Sequence, residues 1–388
     1  MENDQQELKK LKTVYTKETV IINGYIIPPV AVIVLVTNMF VILIYFKQFR
    51  QTTNNIRKIS SILYISIATA NTLAILPISV WYFYLFTLGN MANTYFVPYH
   101  LCWEWNFFTY VDVFPHMASI WFVTILSVQR YMIIKHPFVS SDKWTLKRMY
   151  ILLIVVWLVA FSMQLPLVFE TYLTPKYISV NTTTNVSTIL GCSAYYADWL
   201  DGNGETSEMI SYLLKLIGVI FIPSFLIIYS DVSLVLFLKE SSNVRKILVK
   251  TSSTEKEQAS GSVRSNYVTF QYDLTDGESR RQTLLVVILS SIVFVVEIPY
   301  AVLLIVYIHF ISIQDYELKN WLWVGPAGNL INLTMHVSYP ILFILSCLLS
   351  RQFRKLLLNM LCPVKNKFLK KNRKTLDENN TYQGVESV

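Results

Sequence analysis

Seven long apolar runs set the strongest limit on how this sequence can fold. A helix needs about 20 mostly apolar residues to cross the roughly 30 Å hydrocarbon core of a bilayer. Each run is too long for a strand and lacks the ~10-residue alternation of an outer-membrane barrel. Because lipid offers the backbone no hydrogen-bond partner, the sequence predicts an all-α membrane protein built as a seven-helix bundle. The runs lie at about 24–46, 60–86, 106–134, 149–172, 209–238, 283–310 and 321–349.

The composition excludes a soluble protein of this size. Of the 388 residues, 53% are hydrophobic and only 15% are charged, whereas a soluble domain has roughly 25% charged residues. Such a chain cannot cover a surface that faces water. The first 20 residues are polar and lack the apolar stretch of a signal peptide, so we expect the first span to act as its own insertion signal.

The distribution of lysine and arginine predicts the orientation. With the N-terminus outside, 26 of the 33 basic residues fall in cytoplasmic segments and six in extracellular ones. The positive-inside rule therefore favours an extracellular N-terminus and a cytoplasmic C-terminus, in a multi-pass protein of the plasma membrane. The net charge of +8 then faces anionic membrane lipid and cytosolic partners, and does not indicate nucleic-acid binding.

The remaining segments are assigned from this topology. We expect an extracellular tail over 1–23, the seven-helix domain over 24–349 with a flexible third cytoplasmic loop at 239–281, and a disordered tail over 363–388. Between them, 350–362 is basic and amphipathic and should lie along the membrane surface as an eighth helix. Cys362 at its end is a candidate for palmitoylation.

Two features mark the expected extracellular loops. Cys102 and Cys192 both lie on the oxidising side, where a disulfide between them would join the second outer loop to the third span; two free thiols are the alternative. Asn181 and Asn185 begin Asn-X-Ser/Thr sequences in the same loop and are expected to be glycosylated.

Six spans each carry a residue that matches a known signature. The third span ends in Gln129-Arg130-Tyr131, which resembles the Asp-Arg-Tyr signature of rhodopsin-like G-protein-coupled receptors. Five other spans contain the residue typical of that helix in those receptors. They are Asn38, Trp157, Pro223, Pro299 and Pro340.

Three further segments narrow the resemblance. His116-Met117-Ala118-Ser119-Ile120-Trp121, Glu297-Ile298-Pro299 and Ser350-Arg351-Gln352-Phe353-Arg354 resemble segments of the invertebrate myosuppressin and sex-peptide (FMRFamide-like peptide) receptors. The resemblance implies a neuropeptide receptor whose ligand is a secreted short peptide ending in Arg-Phe-amide or a related amide. It also implies signalling through a heterotrimeric G protein, with the Gi/o type favoured.

Some positions depart from the rhodopsin-like pattern. Asn71 stands where an Asp helps to bind sodium, and Tyr339 and Phe343 replace the Asn and Tyr of Asn-Pro-X-X-Tyr. Sodium modulation and basal activity are therefore open. In the resembled receptors, Gln129, Arg130 and Tyr131 form the G-protein coupling segment. Gln129 cannot form the charge pair of an acid, so Arg130 is held by a hydrogen bond at most.

The resemblance and helix geometry together assign the other roles. Pro223 and Pro299 each remove a backbone hydrogen bond and are expected to act as activation hinges. Asp112 precedes Arg130 by 18 residues, about 27 Å along the helix, and His116 is one turn below it on the same face. Glu297 is expected at the floor of the pocket.

Charges inside spans indicate the ligand site, because each costs ~2.5–3.5 kcal/mol to insert. Our hypothesis is that Asp112 and Glu297 receive the cationic part of the ligand. An Asp112–Lys215 ion pair without a ligand role is the alternative. Tyr300 and Trp323 are expected to supply part of an aromatic wall, although aromatic residues also belt any membrane interface.

The sequence also bears on other possible functions. A biogenic amine receptor would use Asp112 alone, and a chemoreceptor for environmental peptides would share the sequence features. The seventh span from Leu322 to Leu349 has no Lys for retinal, which argues against an opsin, and repeated halves or broken helices of a transporter are not seen. Enzyme motifs and metal-ligand spacings are absent, so neither catalysis nor a cofactor is expected.

Overall fold

A computed structural model describes residues 17–90, 99–136, 143–181, 186–254, 277–313 and 326–361. Within these ranges seven helices are long and apolar enough to cross a membrane, which confirms the predicted bundle. We refer to them as the first to the seventh helix. They are Glu18–Gln51, Asn55–Thr87, Val113–Lys135, Leu146–Phe169, Gly204–Glu240, Arg280–Ser312 and Ala327–Leu349.

The first two helices form an antiparallel pair, and each contains a wider π-helical turn. The Asn54 side chain caps the second helix, because its oxygen accepts hydrogen bonds from the backbone N–H groups of Ile56 and Arg57 at 2.9 and 3.3 Å. The pieces of the pair are Lys17–Val20, Ile21–Ile26 (π) and Ile27–Gln51, then Asn55–Tyr82 and Phe83–Thr87 (π).

Gly24 lies where these two helices come closest. A Cβ atom at this position would be 2.6 Å from Cβ of Phe86, so the backbones can approach only because residue 24 has no side chain. The hydroxyl of Thr87 donates a hydrogen bond to the Gly24 carbonyl. This contact closes the first two helices together at one end of the bundle.

The third helix runs through the centre of the bundle. Of its apolar stretch 72% is buried, more than in any other span. The segment Cys102–Val111 precedes Val113–Lys135, with a turn at Asp112 between them. Pro115 accounts for the irregularity, since it has no N–H to donate to the carbonyl of Val111.

The fourth helix, Leu146–Phe169, begins and ends three residues earlier than predicted and leads into a hairpin. Its extension to residue 172 was wrong, because Thr171 already begins a strand. Strands β1 (Thr171–Asn181) and β2 (Val186–Tyr196) pair antiparallel, with Thr171 opposite Tyr196. β1 is rich in β-branched and aromatic residues, which favour strands. The fold is thus a helical bundle with one added hairpin.

The fifth and sixth helices extend beyond the predicted spans. The fifth consists of Gly204–Lys215, a π turn at Leu216–Phe221, and Ile222–Thr254; the sixth is Gly277–Ser312. The predicted flexible loop at 239–281 was therefore too long at both ends. Hydropathy marks where the apolar run stops, but charged residues with good helix propensity continue a helix into water.

The seventh helix is interrupted, and an eighth follows it. Pro326–Ser338 and Ile341–Leu349 are separated by a turn at Tyr339-Pro340, where the proline again removes a backbone donor. Arg351–Leu361 then forms the predicted amphipathic helix. Its Phe353 is completely buried, and packs on the ring of Tyr45 at 5.5 Å. Short 3₁₀ turns lie at Tyr99–Leu101 and Asp198–Leu200.

The outer face of the bundle is apolar. Large side chains such as Leu158, Phe225 and Leu348 are more than 60% exposed, and they lie on membrane-length helices. A soluble protein rarely leaves so much contiguous apolar surface in water. This face therefore contacts lipid, and the protein crosses the membrane several times.

Candidate functional site

A cavity of about 150 Å³ opens among the first, second, third, sixth and seventh helices. We call this end of the bundle the pocket end and the opposite end the Arg130 end. The third helix contributes Asp112, Val113 and His116, and the sixth contributes Tyr300 and Leu303. The rest of the lining is Asn23, Ala74, Ile78, Tyr82, Gly328, Asn329, Ile331, Asn332, Met335, His336 and Tyr339.

Asp112 presents a carboxylate to this cavity. It occupies the turn between the two segments of the third helix, four residues before His116. Its Oδ1 atom is buried and has no hydrogen-bond partner within the described part of the chain. A buried, unsatisfied carboxylate oxygen is costly. The site is therefore complementary to a donor that comes from outside the protein.

His116 joins the sixth helix to the seventh below Asp112. Its Nε2 atom lies 3.2 Å from Oε1 of Glu297, and its Nδ1 atom lies 3.1 Å from the hydroxyl of Tyr339. All three side chains are buried. We call this arrangement the Glu297–His116–Tyr339 chain. Nδ1 is paired with the Tyr339 hydroxyl, and Nε2 lies within ion-pair distance of Glu297 without a hydrogen bond, so the imidazole is positioned between the two groups.

Glu297 does not reach the cavity directly. It lies behind His116 and is not one of the lining residues, whereas the sequence hypothesis had both Asp112 and Glu297 receive the cationic part of the ligand. Its second oxygen, Oε2, has no hydrogen-bond partner among the described residues. The two acids thus have different geometries, one facing the cavity and one facing His116.

Lys215 does not pair with Asp112. Both side chains are described, and no hydrogen bond or ion pair joins them. The ammonium of Lys215 instead lies 4.8 Å from the centre of the Tyr212 ring and is buried. It interacts electrostatically with Glu170, Asp112 and Glu208. The structure thus shows no direct contact between Asp112 and Lys215, and their charges interact over a longer distance.

Glu208 anchors the hairpin to the fifth and sixth helices. Tyr196, at the end of β2, donates a hydrogen bond to Glu208 Oε2 at 2.5 Å, and Tyr307 donates to Oε1 at 2.7 Å. Next to it, Glu170 accepts a hydrogen bond from the hydroxyl of Ser207 at 2.7 Å. Acidic residues at the pocket end thus hold the hairpin beside the cavity.

The seventh helix provides polar lining residues that the sequence hypothesis missed. Asn329, Asn332, His336 and Tyr339 recur at spacings of three and four, which places them on one face of a helix. Asn329 accepts a hydrogen bond from the Asn23 amide at 2.9 Å. This polar stripe inside a membrane span was the signal that could have identified them.

At the Arg130 end, the third helix is tied to its neighbours by hydrogen bonds. Arg130 is buried, and its Nη2 donates to Oε1 of Gln282 on the sixth helix at 3.1 Å. Gln129 accepts from Ser60 at 3.4 Å. The hydroxyls of Tyr131 and Tyr229 are 3.2 Å apart. The Arg130 guanidinium is thus bonded to a neutral side chain, Gln282.

A second link lies one turn deeper. Asp231 of the fifth helix accepts hydrogen bonds from Ser127 at 2.7 Å and from Ser290 at 2.6 Å. Both serines are fully buried. One carboxylate therefore joins the third, fifth and sixth helices.

The two predicted hinge prolines lie in the fifth and sixth helices. Pro223 directly follows the π turn at Leu216–Phe221, and Pro299 lies inside the sixth helix, two residues after Glu297. Each proline removes one helical hydrogen bond. A rotation about Pro299 would change the position of Glu297 relative to His116.

The structure describes some of the predicted site residues in part and leaves others outside the described ranges. Cys102 is disulfide-bonded, while Cys347 is a free thiol. Cys192 belongs to β2 and Asn181 ends β1, but their side chains are not described, so the Cys102–Cys192 pairing stays a prediction. Trp323, Asn185 and Cys362 lie outside the described residues. In the described ranges no three His, Cys, Asp or Glu side chains form a metal site.

Comparison with known proteins identifies the family. The profile of the 7 transmembrane receptor (rhodopsin family) matches residues 37–348. The chain is 24% identical to the Sex peptide receptor of Drosophila melanogaster over 338 residues, which are 86% of this chain and 70% of that protein. It is 23% identical to Sex peptide receptor-related protein 2 of Caenorhabditis elegans over 353 residues, which are 89% of this chain and 72% of that protein.

A vertebrate relative is matched over a shorter region. The chain is 27% identical to the Type-2 angiotensin II receptor of Ovis aries over 164 residues, 42% of each chain. The profile spans most of the chain, including Asp112, Arg130 and Pro299, and describes receptors, not enzymes. With seven membrane-length helices, the chain belongs to the rhodopsin family of seven-transmembrane receptors.

Proposed function

We propose that this receptor binds a secreted short peptide with a cationic side chain next to an amidated aromatic C-terminus, as in Arg-Phe-amide. The observation that carries the proposal is the unpartnered Asp112 Oδ1 atom in the cavity. A guanidinium is a strong partner for a carboxylate, because it can donate two parallel hydrogen bonds and carries the opposite charge.

The walls of the cavity support an apolar group beside the cation. Ile78, Leu303 and Met335 are aliphatic, and Tyr82 and Tyr300 present aromatic rings. An aromatic side chain gains favourable contacts with such a wall. A volume of about 150 Å³ is below the about 300–1,000 Å³ of sites that enclose a whole drug-sized ligand. We therefore propose that only the end of the peptide enters.

Polar groups near the cavity could receive the C-terminal amide. The Asn332 amide and the His336 imidazole are lining residues, and Nδ1 of His336 has no hydrogen-bond partner among the described residues. A terminal carboxamide offers both a donor and an acceptor, whereas a carboxylate would add a negative charge near Asp112. This arrangement favours amidated peptides over the free acids.

In this proposal Glu297 is a positioning residue. It contacts His116 at 3.2 Å and acts on the ligand through that imidazole. Lys215 is likewise outside the cavity lining, and its charge would tune the field around Asp112.

We further propose that the pocket end faces the outside and that the Arg130 end couples to a heterotrimeric G protein, with Gi/o favoured, at the plasma membrane. The bias of basic residues toward the Arg130 end supports this orientation. Gln129, Arg130 and Tyr131 match the coupling segment of the family by position. Two similar proteins are named as sex peptide receptors or their relatives, which is in keeping with a peptide ligand.

A biogenic amine is the second candidate ligand. A cavity of about 150 Å³ with one unpartnered carboxylate oxygen would also accept a small ammonium ion. A chemoreceptor for environmental peptides would use the same contacts as a neuropeptide receptor. The two kinds of receptor differ in the tissue that expresses them. A reporter gene under the control of the receptor's promoter would reveal that tissue.

The deciding experiment measures G-protein activation in cells that express the receptor. Amidated Arg-Phe peptides, the same peptides with a free C-terminal acid and a set of biogenic amines are compared as full dose-response curves. We expect the amidated peptides to be the most potent. A response to amines alone would replace the peptide proposal with the amine one. Sensitivity of the signal to pertussis toxin tests the Gi/o assignment separately.

A further inference from the structure

The cavity at the pocket end extends as far as the first helix. Its lining comes from the first, second, third, sixth and seventh helices, and within the described part of the chain none of it comes from the fourth or the fifth. The third helix contributes Asp112, and the first contributes Asn23. A ligand anchored on Asp112 therefore has room to reach the first helix.

Asn23 lies in the π turn of the first helix, Ile21–Ile26. It is 3% exposed, whereas Ile21 and Tyr25 in the same turn are more than half exposed. A π turn holds more residues than an α turn, which changes the direction in which the side chains point, and such turns are frequent at functional sites. This turn directs the Asn23 amide into the bundle.

Two hydrogen bonds fix which end of the Asn23 amide is in use. Nδ2 of Asn23 donates to Oδ1 of Asn329 at 2.9 Å, and Nδ2 of Asn329 donates to the hydroxyl of Thr19 at 3.3 Å. Because an amide oxygen can only accept, the nitrogen of Asn23 has to face Oδ1 of Asn329. Oδ1 of Asn23 is left buried, without a hydrogen-bond partner among the described residues.

This oxygen is a second open acceptor of the cavity. A buried carbonyl oxygen without a donor is costly, and the second helix offers it none from Ala74 and Ile78, whose side chains are apolar. Unlike the carboxylate of Asp112, an amide oxygen carries no net charge and gives a cation little advantage. It therefore suits a neutral N–H donor, such as the backbone of a peptide.

Spacing along the seventh helix indicates which N–H of the peptide is within reach. In the proposed function, Asn332 and His336 receive the C-terminal carboxamide. Asn329, the partner of Asn23, precedes Asn332 by three residues, about 4.5 Å along the helix. One residue of an extended peptide spans about 3.3–3.6 Å. The group one residue before the carboxamide nitrogen is the backbone N–H of the last residue.

We infer that Oδ1 of Asn23 accepts a hydrogen bond from the backbone N–H of the amidated C-terminal residue of the ligand. The inference rests on the proposed function, because it takes the arginine at Asp112 and the carboxamide at the seventh helix as its starting points. It adds a contact to the peptide backbone, which no side chain of the ligand can replace.

An ester analogue of the peptide tests this contact. Phenyllactic amide in place of the C-terminal Phe-amide exchanges the N–H of the last peptide bond for an oxygen, and leaves the arginine, the ring and the carboxamide in place. Dose-response curves of G-protein activation compare the two peptides on the full-length receptor in cells. On the wild-type receptor we expect the ester to be about fivefold less potent, the effect of one neutral hydrogen bond. Equal potency would overturn the inference.

Two variants of Asn23 assign the effect to its oxygen. Asn23→Leu has no acceptor, so the amide and the ester should be equally potent on it. Asn23→Asp is the matched control, because it also loses the bond to Asn329 but keeps an acceptor, so the amide should stay more potent. The measured quantity is the potency ratio of the two peptides at matched surface expression, which a merely structural role of Asn23 would not change. An unchanged ratio in Asn23→Leu, or a ratio lost in both variants, would contradict the assignment.

The same curves separate this inference from the proposed function. Potent amidated peptides with an equally potent ester would leave the proposed function in place and remove the Asn23 contact alone. A receptor that responds to amines and to no peptide would contradict both.

Discussion

At the scale of single residues, the two buried acids of the pocket end are not equivalent. Asp112 faces the cavity with an unpartnered oxygen, while Glu297 contacts His116 at 3.2 Å. Their sequence positions suggested a shared role as ligand acceptors. The geometry favours a direct ligand contact for Asp112 and an action through the His116 imidazole for Glu297. Mutations can distinguish these two roles.

Asp112→Asn is predicted to lower the potency of an Arg-Phe-amide peptide about tenfold or more, since one charge-assisted contact is lost. The same peptide with citrulline, a neutral analogue of arginine, should have a lower potency than the arginine peptide on the wild-type receptor. Its potency should fall little further on the Asp112→Asn variant. Dose-response curves for both peptides on both receptors form a double-mutant cycle. Additive losses would exclude a contact between Asp112 and the guanidinium.

Asp198→Asn is the control for that cycle. Asp198 is an exposed acid at the pocket end, so the substitution makes the same change in net charge without touching the cavity. We expect unchanged potency for both peptides. A loss equal to that of Asp112→Asn would mean that the general field of the acidic residues at the pocket end, and not one contact, attracts the ligand.

Glu297→Gln should weaken the arginine and citrulline peptides by the same factor. The amide is neutral, so His116 loses a charged partner and its ring is held less firmly in the Glu297–His116–Tyr339 chain. Potency is measured with both peptides, and surface expression is measured to normalise the response. A loss confined to the arginine peptide would show that Glu297 contacts the ligand directly.

At the scale of elements, the carboxylate of Asp231 holds three helices together. Ser127 and Ser290 donate to it from the third and sixth helices at 2.7 and 2.6 Å. Arg130 donates a hydrogen bond to a neutral side chain, Gln282. The link through Asp231 is therefore the charged restraint between these helices at the Arg130 end in this conformation, within the described part of the chain.

Ser290→Ala should raise signalling in the absence of ligand. Losing a hydrogen bond to a charged group costs about 1.5–3 kcal/mol, and the loss falls on the conformation in which the third and sixth helices are joined. Basal G-protein activation at matched surface expression is the measurement. Ser162→Ala is the control, because Ser162 is exposed on the fourth helix and bonds only within its own turn at Val159. Unchanged basal activity in Ser290→Ala would exclude a restraining role.

The sequence predicts elements better than their contacts. Seven spans follow from apolar length alone, because lipid permits little else. The hairpin was missed, since pairing of Thr171 with Tyr196 depends on residues far apart in the chain. The partner of Glu297 was unpredictable for the same reason: His116 is on another helix, and which faces meet is decided by packing. By contrast, the spacing of Asn329, Asn332 and His336 was present in the sequence.

At the scale of the whole molecule, the hairpin and the cavity belong to one end of the bundle. Tyr196 and Tyr307 both donate to Glu208, which joins the hairpin to the fifth and sixth helices. Cys102 is disulfide-bonded just before the third helix. If its partner is Cys192 of β2, as the sequence predicts, the hairpin is held at both sides of the cavity.

Cys102→Ala should reduce ligand binding and surface expression, because the hairpin loses a covalent attachment. Peptide mapping of the non-reduced wild-type receptor by mass spectrometry checks the pairing directly. Cys347→Ala, which removes a thiol that is free, is the control and should have no such effect. Recovery of Cys102 and Cys192 peptides with two unlinked thiols would contradict the prediction.

The orientation of the whole bundle is tested by glycosylation. Asn181 ends β1, and Asn185 directly precedes β2 in the sequence, so both reach the secretory lumen only if the pocket end faces outward. We expect glycosidase to shift the electrophoretic mobility of the wild-type receptor and not that of the Asn181→Gln, Asn185→Gln double variant. A wild-type receptor that carries no sugar on either residue would remove this support for the proposed topology.

The close approach at Gly24 has a consequence for genetics. A methyl group there would lie 2.6 Å from Cβ of Phe86, and overpacking of this kind typically costs about 1–3 kcal/mol. Such a penalty is tolerable at low temperature and severe when it is added to heat stress. A Gly24→Ala allele should therefore be temperature-sensitive: the receptor should respond normally in cells kept cool and lose the response when they are warmed, without any change to the cavity lining.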